Sequence, residues 1–312
     1  MKKMINSSHI AGTVYQHSLE LKTAGPNAKT PGAQYITGSI EVATDDACIN
    51  IVPVYFTYVL PTFAKSGKTN ETFNTLNNFI NGVYKTIMKD GAENATKVRI
   101  DSAIALNEFY TERNGNVEFV SVKRNDGGFV HVVGALDEEE DKRNRFDCDI
   151  VITGARILEG DEDKNTVDKV IIKGAIFNFR NDLMPVEFSV TNPGAMDYFM
   201  NLGATQSTPV FTRIKGAQIS ETIVRTITEE SAFGAPSVRE VKNTRKDFVI
   251  DWAKAEVYEW DDESSITAAD FKECIAKREI TLAELKQRYE ASKAAKSQAG
   301  NAIAPSSGTF NF

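Results

Sequence analysis

Lys173, Phe177 and Phe179 stand at alternate positions of residues 170–179, a β-branched and aromatic run that reads Val-Ile-Ile-Lys-Gly-Ala-Ile-Phe-Asn-Phe. Successive side chains of a strand point to opposite sides, so these three share one face, and Val170, Ile172, Gly174 and Ile176 share the other. A cation beside two rings suits unpaired nucleic-acid bases, which stack on aromatic faces, and the phosphates between them. The same rings would serve equally as packing under a loop or helix. Further residues of this chemistry in the second half of the chain are Arg180, Arg213, Lys215, Arg225, Phe233 and Arg245. Arg213 and Lys215 share a strand face, and Phe233 falls in a long loop over residues 228–243. In the first half the candidates are Tyr15, Tyr35 and Arg99. Tyr55, Phe56 and Tyr58 have no assignable face, because Pro53 disturbs the register. Trp252 reads as core, and Trp260 as an anchor for C-terminal helices.

The elements that would position these groups are mostly strands. Residues 8–23, 35–43, 49–59, 97–108, 117–122 and 129–133 read as strands, with a strong hairpin turn at Asn114-Gly115. Phe73, Leu76, Ile80, Val83, Tyr84 and Ile87 recur at helical spacing and predict one amphipathic helix over residues 70–89. Three strands, a helix and two further strands is the order of an OB-fold, a five-stranded partly open barrel. The second half repeats the pattern, with strands over 146–158, 170–179, 183–190, 211–227 and 244–252 and a short helix near 194–202. By eye, Ile152-Thr153-Gly154 matches Ile10-Ala11-Gly12, Gly174 matches Gly38, and Arg213 matches Arg99. Duplication of one supersecondary unit is a stronger signal than either copy alone.

The expected fold is therefore mainly β: two OB-fold-like five-stranded barrels in tandem, then C-terminal helices and a disordered tail. The expected boundaries are 1–136 for the first barrel, 137–145 for an acidic linker, 146–260 for the second barrel, 261–290 for the helices and 291–312 for the tail. Thr267 with Asp270, and Thr281 with Glu284, read as capping pairs that open two short helices.

Charge and composition narrow the function. The net charge of −7 disfavours a nucleic-acid partner at first sight. Residues 137–163 hold 11 acids and 4 bases, and the remainder balances at 32 of each. The excess thus sits in one joining segment, and a local basic groove elsewhere is still permitted. No apolar run of membrane-spanning length is present, so no membrane partner is expected. Lys2 and Lys3 have no apolar segment behind them, which predicts residence in the cytoplasm of the cell that makes the chain. The three cysteines and three histidines form no metal or disulfide pattern. Phosphate-binding loops and nucleophile motifs are missing, so the expectation is a non-enzyme with no cofactor and no metal.

Tyr35-Ile36-Thr37-Gly38, Lys173 to Phe179, Phe211-Thr212-Arg213-Ile214-Lys215-Gly216 and Glu229 to Gly234 together carry a resemblance. Over roughly residues 8–290 the chain resembles the single-stranded DNA-binding proteins encoded by bacteriophages and related mobile elements. The resemblance implies a protein that protects or organises single-stranded DNA in replication or recombination; self-association into a homo-oligomer is compatible with it. It also implies that Phe310 and Phe312 could dock on replication or recombination proteins. The bacterial members end in acids followed by Pro-Phe, whereas this chain ends Thr309-Phe310-Asn311-Phe312, which puts a shared tail partner in doubt. The alternatives are a virion structural protein of tail or capsid, and an OB adaptor for protein or sugar.

Overall fold

Alternating apolar residues make the strands. Along β1 (Asn6–His17) Ser8, Ile10 and Val14 are buried, while His9, Thr13 and Tyr15 reach solvent. The computed structural model describes residues 3–26, 28, 30–63, 65–161, 167–229, 233–234, 237–260 and 266–301, with the side chains of 221–229, 241–244 and 296–301 left aside. After β1 come β2 (Glu20–Thr23), β3 (Gln34–Ala43), β4 (Ile51–Val59), α1 (Glu71–Ile80), α2 (Ile87–Asp90), β5 (Lys97–Arg113) and β6 (Asn116–Val132). The second half holds β7 (Asn144–Leu158), β8 (Lys169–Phe177), β9 (Leu183–Val190), α3 (Pro193–Asn201), β10 (Val210–Glu229), β11 (Ser237–Ala253) and α4 (Ala268–Asn301).

Each half closes a ring. In the first, β1 pairs with β3, β3 with β4, β4 runs parallel to β6, β6 pairs with β5, and β5 returns to β1. In the second, β7, β8, β9, β11 and β10 follow the same order, again with one parallel contact, β9 to β11. This is the strand order of an OB-fold, with the helix between the third and fourth strands as the element order predicts. Phe56, Leu76 and Phe79 fill the first ring; Phe146, Phe188 and Phe248 stack in the second. Between the rings, the acidic stretch is fastened by Arg143, whose buried guanidinium donates to Asp46 and to the carbonyl of Asp137, 2.6 Å each.

Several elements differ from the sequence reading. The helix expected over 70–89 stops at Ile80, where Asn81 is followed by Gly82 in the left-handed region (φ 70°), and resumes only as the short α2. Residues 117–122 and 129–133 are parts of one strand, joined to β5 by a tight turn in which Asn114 (φ 51°) and Gly115 (φ 78°) both take left-handed backbone. The loop expected over 228–243 is largely the end of a long β10–β11 hairpin, paired from Thr222–Thr244 out to Glu229–Ser237. The two C-terminal helices are one. Thr267 and Asp270 form the expected capping box, with Asp270 N–H donating to Thr267 Oγ1 and Thr267 N–H to Asp270 Oδ2, 3.1 Å each. Thr281 lies inside α4, its hydroxyl turned back to the carbonyl of Lys277, 3.0 Å. Residues 291–301, expected to be disordered, continue the helix; residues 302–312 lie outside the described residues.

β1 and β7 join the rings, antiparallel, with Asn6 opposite Cys148, Ser8 opposite Phe146 and Ile10 opposite Asn144. Two bulges set the internal register. One falls between Val14 and Gln16 in the first ring and between Ile152 and Gly154 in the second; the other follows Asp101 and Lys215. Both bulges equate Ile10 with Cys148, since Ile10 pairs with Ile100 and Cys148 with Ile214. The match of Arg99 to Arg213 therefore holds. The by-eye matches of Gly154 to Gly12 and of Gly174 to Gly38 are each displaced by four residues: Gly154 corresponds to Gln16, and Gly174 to Val42. Under the structural equivalence Asn6 corresponds to Asn144, and the β1–β7 ladder maps onto itself about a local two-fold axis at Ser8–Phe146. The two asparagines do the same work. Asn6 Nδ2 donates to the carbonyl of Ile104 (2.9 Å) and its Oδ1 accepts from Ile104 N–H (3.0 Å). Asn144 makes the same pair of bonds to Gln218, the residue equivalent to Ile104.

Beyond these asparagines each ring sends a hairpin arm across the axis. Ile104 and Leu106 of the first arm pack into the core of the second ring. Lys123 enters with them. Its stem keeps contact with solvent, but its ammonium lies 4.3 Å from the centroids of both Phe188 and Phe248, two buried rings, and donates to the carbonyl of Glu187. Desolvation there pushes its pKa down to about 8. The second arm crosses with polar residues instead: Gln218 and Ser220 meet Asn50 and Asn125 of the first ring.

Two outcomes follow from the seam. Asn6→Ala strands the N–H and C=O of Ile104, and Asn144→Ala strands the N–H of Gln218, whose C=O keeps Asn50 as donor, so each should cost about 1–3 kcal/mol in urea unfolding; no loss in either would remove the seam's asparagines from the account. The unfolded chain holds the Lys123 proton up to its ordinary pKa, whereas the folded chain releases it from about pH 8. The charged form thus costs stability at neutral pH, and that cost is relieved as pH rises from about 8 towards about 10.5. The stability advantage of Lys123→Met over the wild type should shrink by on the order of 1–3 kcal/mol across that window; parallel pH curves would contradict it.

Candidate nucleic-acid interface

The residues singled out around β8 do not form one face. Phe177 is fully buried. It packs with Met4, Val151, Leu183, Phe211, Ile266 and Phe271 in a second core, between the outside of the second ring and the start of α4. β8 is thus buried on both sides except at Lys173, because Ala175 and Phe177 meet this outer core while Val170, Ile172 and Ile176 meet the inner one. Phe177 is therefore a packing residue and not a stacking surface. Phe179 lies past the end of the strand, in the turn 178–182. That turn is held by Asn178 Oδ1, which accepts from the N–H of Arg180 (2.8 Å) and of Asp182 (2.9 Å). Phe179 is 75% exposed, with the Arg180 guanidinium 5.0 Å from its ring centroid.

Arg213, Lys215 and Arg99 share the outer face of six strands running β6-β5-β1-β7-β10-β11 across the two-fold axis. Their charges are met by acids. Arg213 forms a bidentate pair with Asp147 at 2.6 and 2.7 Å, which raises its pKa, and Lys215 lies 3.7 Å from the same carboxylate. Asp101 gathers His9 (2.9 Å), Arg99 (3.2 Å) and His131 (3.8 Å). Arg145 pairs with Asp251. A cleft of about 370 Å³ lies between these groups, lined by His9, Asp101, Arg145, Asp147 and Lys215 among others. A phosphate would have to compete with Asp147 for Arg213, so Arg213 is first of all a structural cation. Trp252, expected in the core, is 44% exposed, with the Lys215 ammonium 5.0 Å above its ring. The first ring sets Phe129, 58% exposed, at the equivalent position opposite Asp101. Trp260 does anchor the C-terminal helix, its ring 5.6 Å from Phe271 and its N–H donating to the carbonyl of Pro209.

On the first ring Tyr35 packs against Tyr58 at 4.3 Å between ring centroids, and the Tyr58 hydroxyl meets Thr30 at 2.7 Å. The register that Pro53 obscures is simple in the structure. Val52, Val54 and Phe56 point inward, and Tyr55 and Tyr58 reach the surface. The Arg124 guanidinium lies 4.9 Å from the Tyr55 ring centroid and is steadied by Asp126 (3.1 Å) and Thr57 (3.2 Å). The alternation of Val52, Val54 and Phe56 carries the signal for Tyr55; nothing local marks Arg124, which reaches β4 only through the parallel contact. Tyr15 is half-exposed on β1. Phe233, near the tip of the second arm, is 94% exposed, and Arg245 lies on β11. Arg225 pairs in register with Val241, but its side chain lies outside the described residues, as do Phe310 and Phe312 entirely.

The three cysteines are free, and among the described residues no group of three His, Cys, Asp or Glu could hold a metal ion. No described helix is long and apolar enough to cross a membrane.

No curated protein matches the chain. Among solved structures, the wild-type single-stranded DNA-binding protein from Thermus aquaticus is similar at a TM-score of 0.45 and 7% identity, over 83% of this chain and 96% of that one. Residues 4–288 match the family described as YorF, and the chain belongs to the YorF family.

Proposed function

We propose that this protein binds single-stranded DNA, without catalysing a reaction on it. One observation carries the reading: three aromatic side chains at the surface each bear a cation on the ring face, Tyr55 with Arg124, Phe179 with Arg180 and Trp252 with Lys215. A ring with a cation at its edge of solvent offers a base a stacking surface and the adjoining phosphate a counter-charge. The OB strand order supports the same reading, since the outer face of the second and third strands is the usual ligand surface of that fold. Protection of single strands in replication or recombination, in the cytoplasm of the cell that houses the gene, is the setting that fits. Phe310 and Phe312 would recruit partner proteins there.

Binding of a fluorescein-labelled oligo(dT) of about 30 nucleotides, enough for two OB units, tests the reading by anisotropy. The single strand should bind and a duplex of equal length should bind far more weakly. A tenfold rise in salt should weaken the complex about 100-fold if about three phosphates are contacted. Absence of binding at low salt would reject the reading in favour of a structural or adaptor protein.

A further inference from the structure

The two rings differ where a nucleic-acid strand would lie. Past the first bulge, Glu41 of β3 corresponds to Lys173 of β8. The ladders then equate Tyr55, opposite Ser39, with Ser189, opposite Ile171. The parallel contacts close the comparison. Tyr55 pairs with Asp126 and Ser189 with Val249, so Arg124 corresponds to Asp247. The bulge after Asp101 and Lys215 gives the same result, because it aligns Phe129 with Trp252.

At these matched positions the chemistry is inverted. The first ring has a tyrosine under a guanidinium. The second has Ser189 donating to the carboxylate of Asp247 at 2.6 Å, with Lys169 on the same oxygen at 2.7 Å. That is a closed knot with no ring to stack on. The second ring's face is also flanked by other elements, with Lys173, Pro185 and Glu187 themselves exposed. Lys173, Pro185 and Glu187 form one wall of a groove whose other walls are Phe119 and Lys123 of the first arm and Arg278 of α4. Arg278 is locked to Glu108 by a bidentate pair in which both side chains are largely buried, and Lys277 pairs with Asp182. On the first ring Tyr58 is 39% exposed, and Tyr35 and Tyr55 are half-exposed.

We infer that, of the two matched faces, the outer face of β3 and β4 of the first ring is the one that holds the single strand. One base stacks on Tyr55 beside Arg124, another on the Tyr35–Tyr58 pair, and the matching face of the second ring serves to seat the first arm and α4. The inference rests on the single-strand reading proposed above and assigns its site.

The experiment is the same anisotropy titration with Tyr55→Ala and Tyr58→Ala, together with ultraviolet crosslinking of bromodeoxyuridine-substituted oligo(dT) to the wild-type chain. Each alanine should weaken binding about 5- to 150-fold, the range for loss of one stacked base, and Tyr55→Phe should restore it. Crosslinks should map to residues 34–59 and not to 169–177 or 183–190. Wild-type binding with both alanine variants unchanged, or crosslinks confined to 169–177 and 183–190, would overturn the assignment while leaving the single-strand reading intact. Failure of the wild-type chain to bind would remove both.

Discussion

The β1–β7 ladder is the contact on which the rest of the molecule depends. It is short, and antiparallel pairing alone would leave the two rings free to slip by two residues, since that shift keeps every side chain on its own face. The hydrogen bonds that cross the seam remove that freedom. Asn6 and Asn144 each tie a seam strand to the arm of their own ring, and the links between rings run from Asn6 to the carbonyl of Phe177 and from Asn50 and Asn125 to Gln218, so a slip would break those. With the ladder fixed, the arms cross the axis at defined places. The first delivers Ile104, Leu106 and Lys123 to the second ring, and the second delivers Gln218 and Ser220 to the first.

The two crossings use opposite physics for the same purpose. One is mostly apolar and includes a lysine whose ammonium sits over two buried rings. The other is a polar cluster in which Gln218 bonds with Asn50, Asn125 and Asn144. An apolar crossing tolerates small shifts. A polar one inside protein does not, because any unpaired amide there bears its full desolvation cost. Register is therefore set on the polar side and burial is supplied on the other.

Much of this was legible in the sequence. Strand and helix order predicts both rings, because β-branched alternation and one helical period are local signals. Asn114-Gly115 and the Thr267–Asp270 box end or begin elements where expected, again from local chemistry. What sequence order could not supply was which residues face one another. Phe177 looks like a platform until α4 and Met4 are brought over it, and Trp252 looks like core until a bulge turns it outward. Arg124 and Tyr55 are distant in sequence and meet only through a parallel strand contact. The repeat was visible, but alignment on Gly-containing triplets missed by four residues, because glycine marks a bulge or a crowded backbone and not a fixed place in the fold. The clustering of Arg99, Arg213 and Lys215 on one sheet surface is correct at the level of alternation, yet Asp147, which neutralises Arg213 and Lys215, lies on another strand, and only Asp101 beside Arg99 is local.

The local two-fold axis has a consequence for how such a chain can vary. In a dimer of identical rings every substitution appears twice, so a ring that gains a tyrosine for ligand must carry it on both sides, and a helix seated on one face must have a twin. Here each position is written once. Tyr55 can stand where its counterpart is Ser189, and Arg124 where its counterpart is Asp247, without any change to the seam that relates them. The covalent joint at Arg143 thus separates two demands that symmetry would otherwise bind together: the seam asparagines remain alike, and the faces are free to become different.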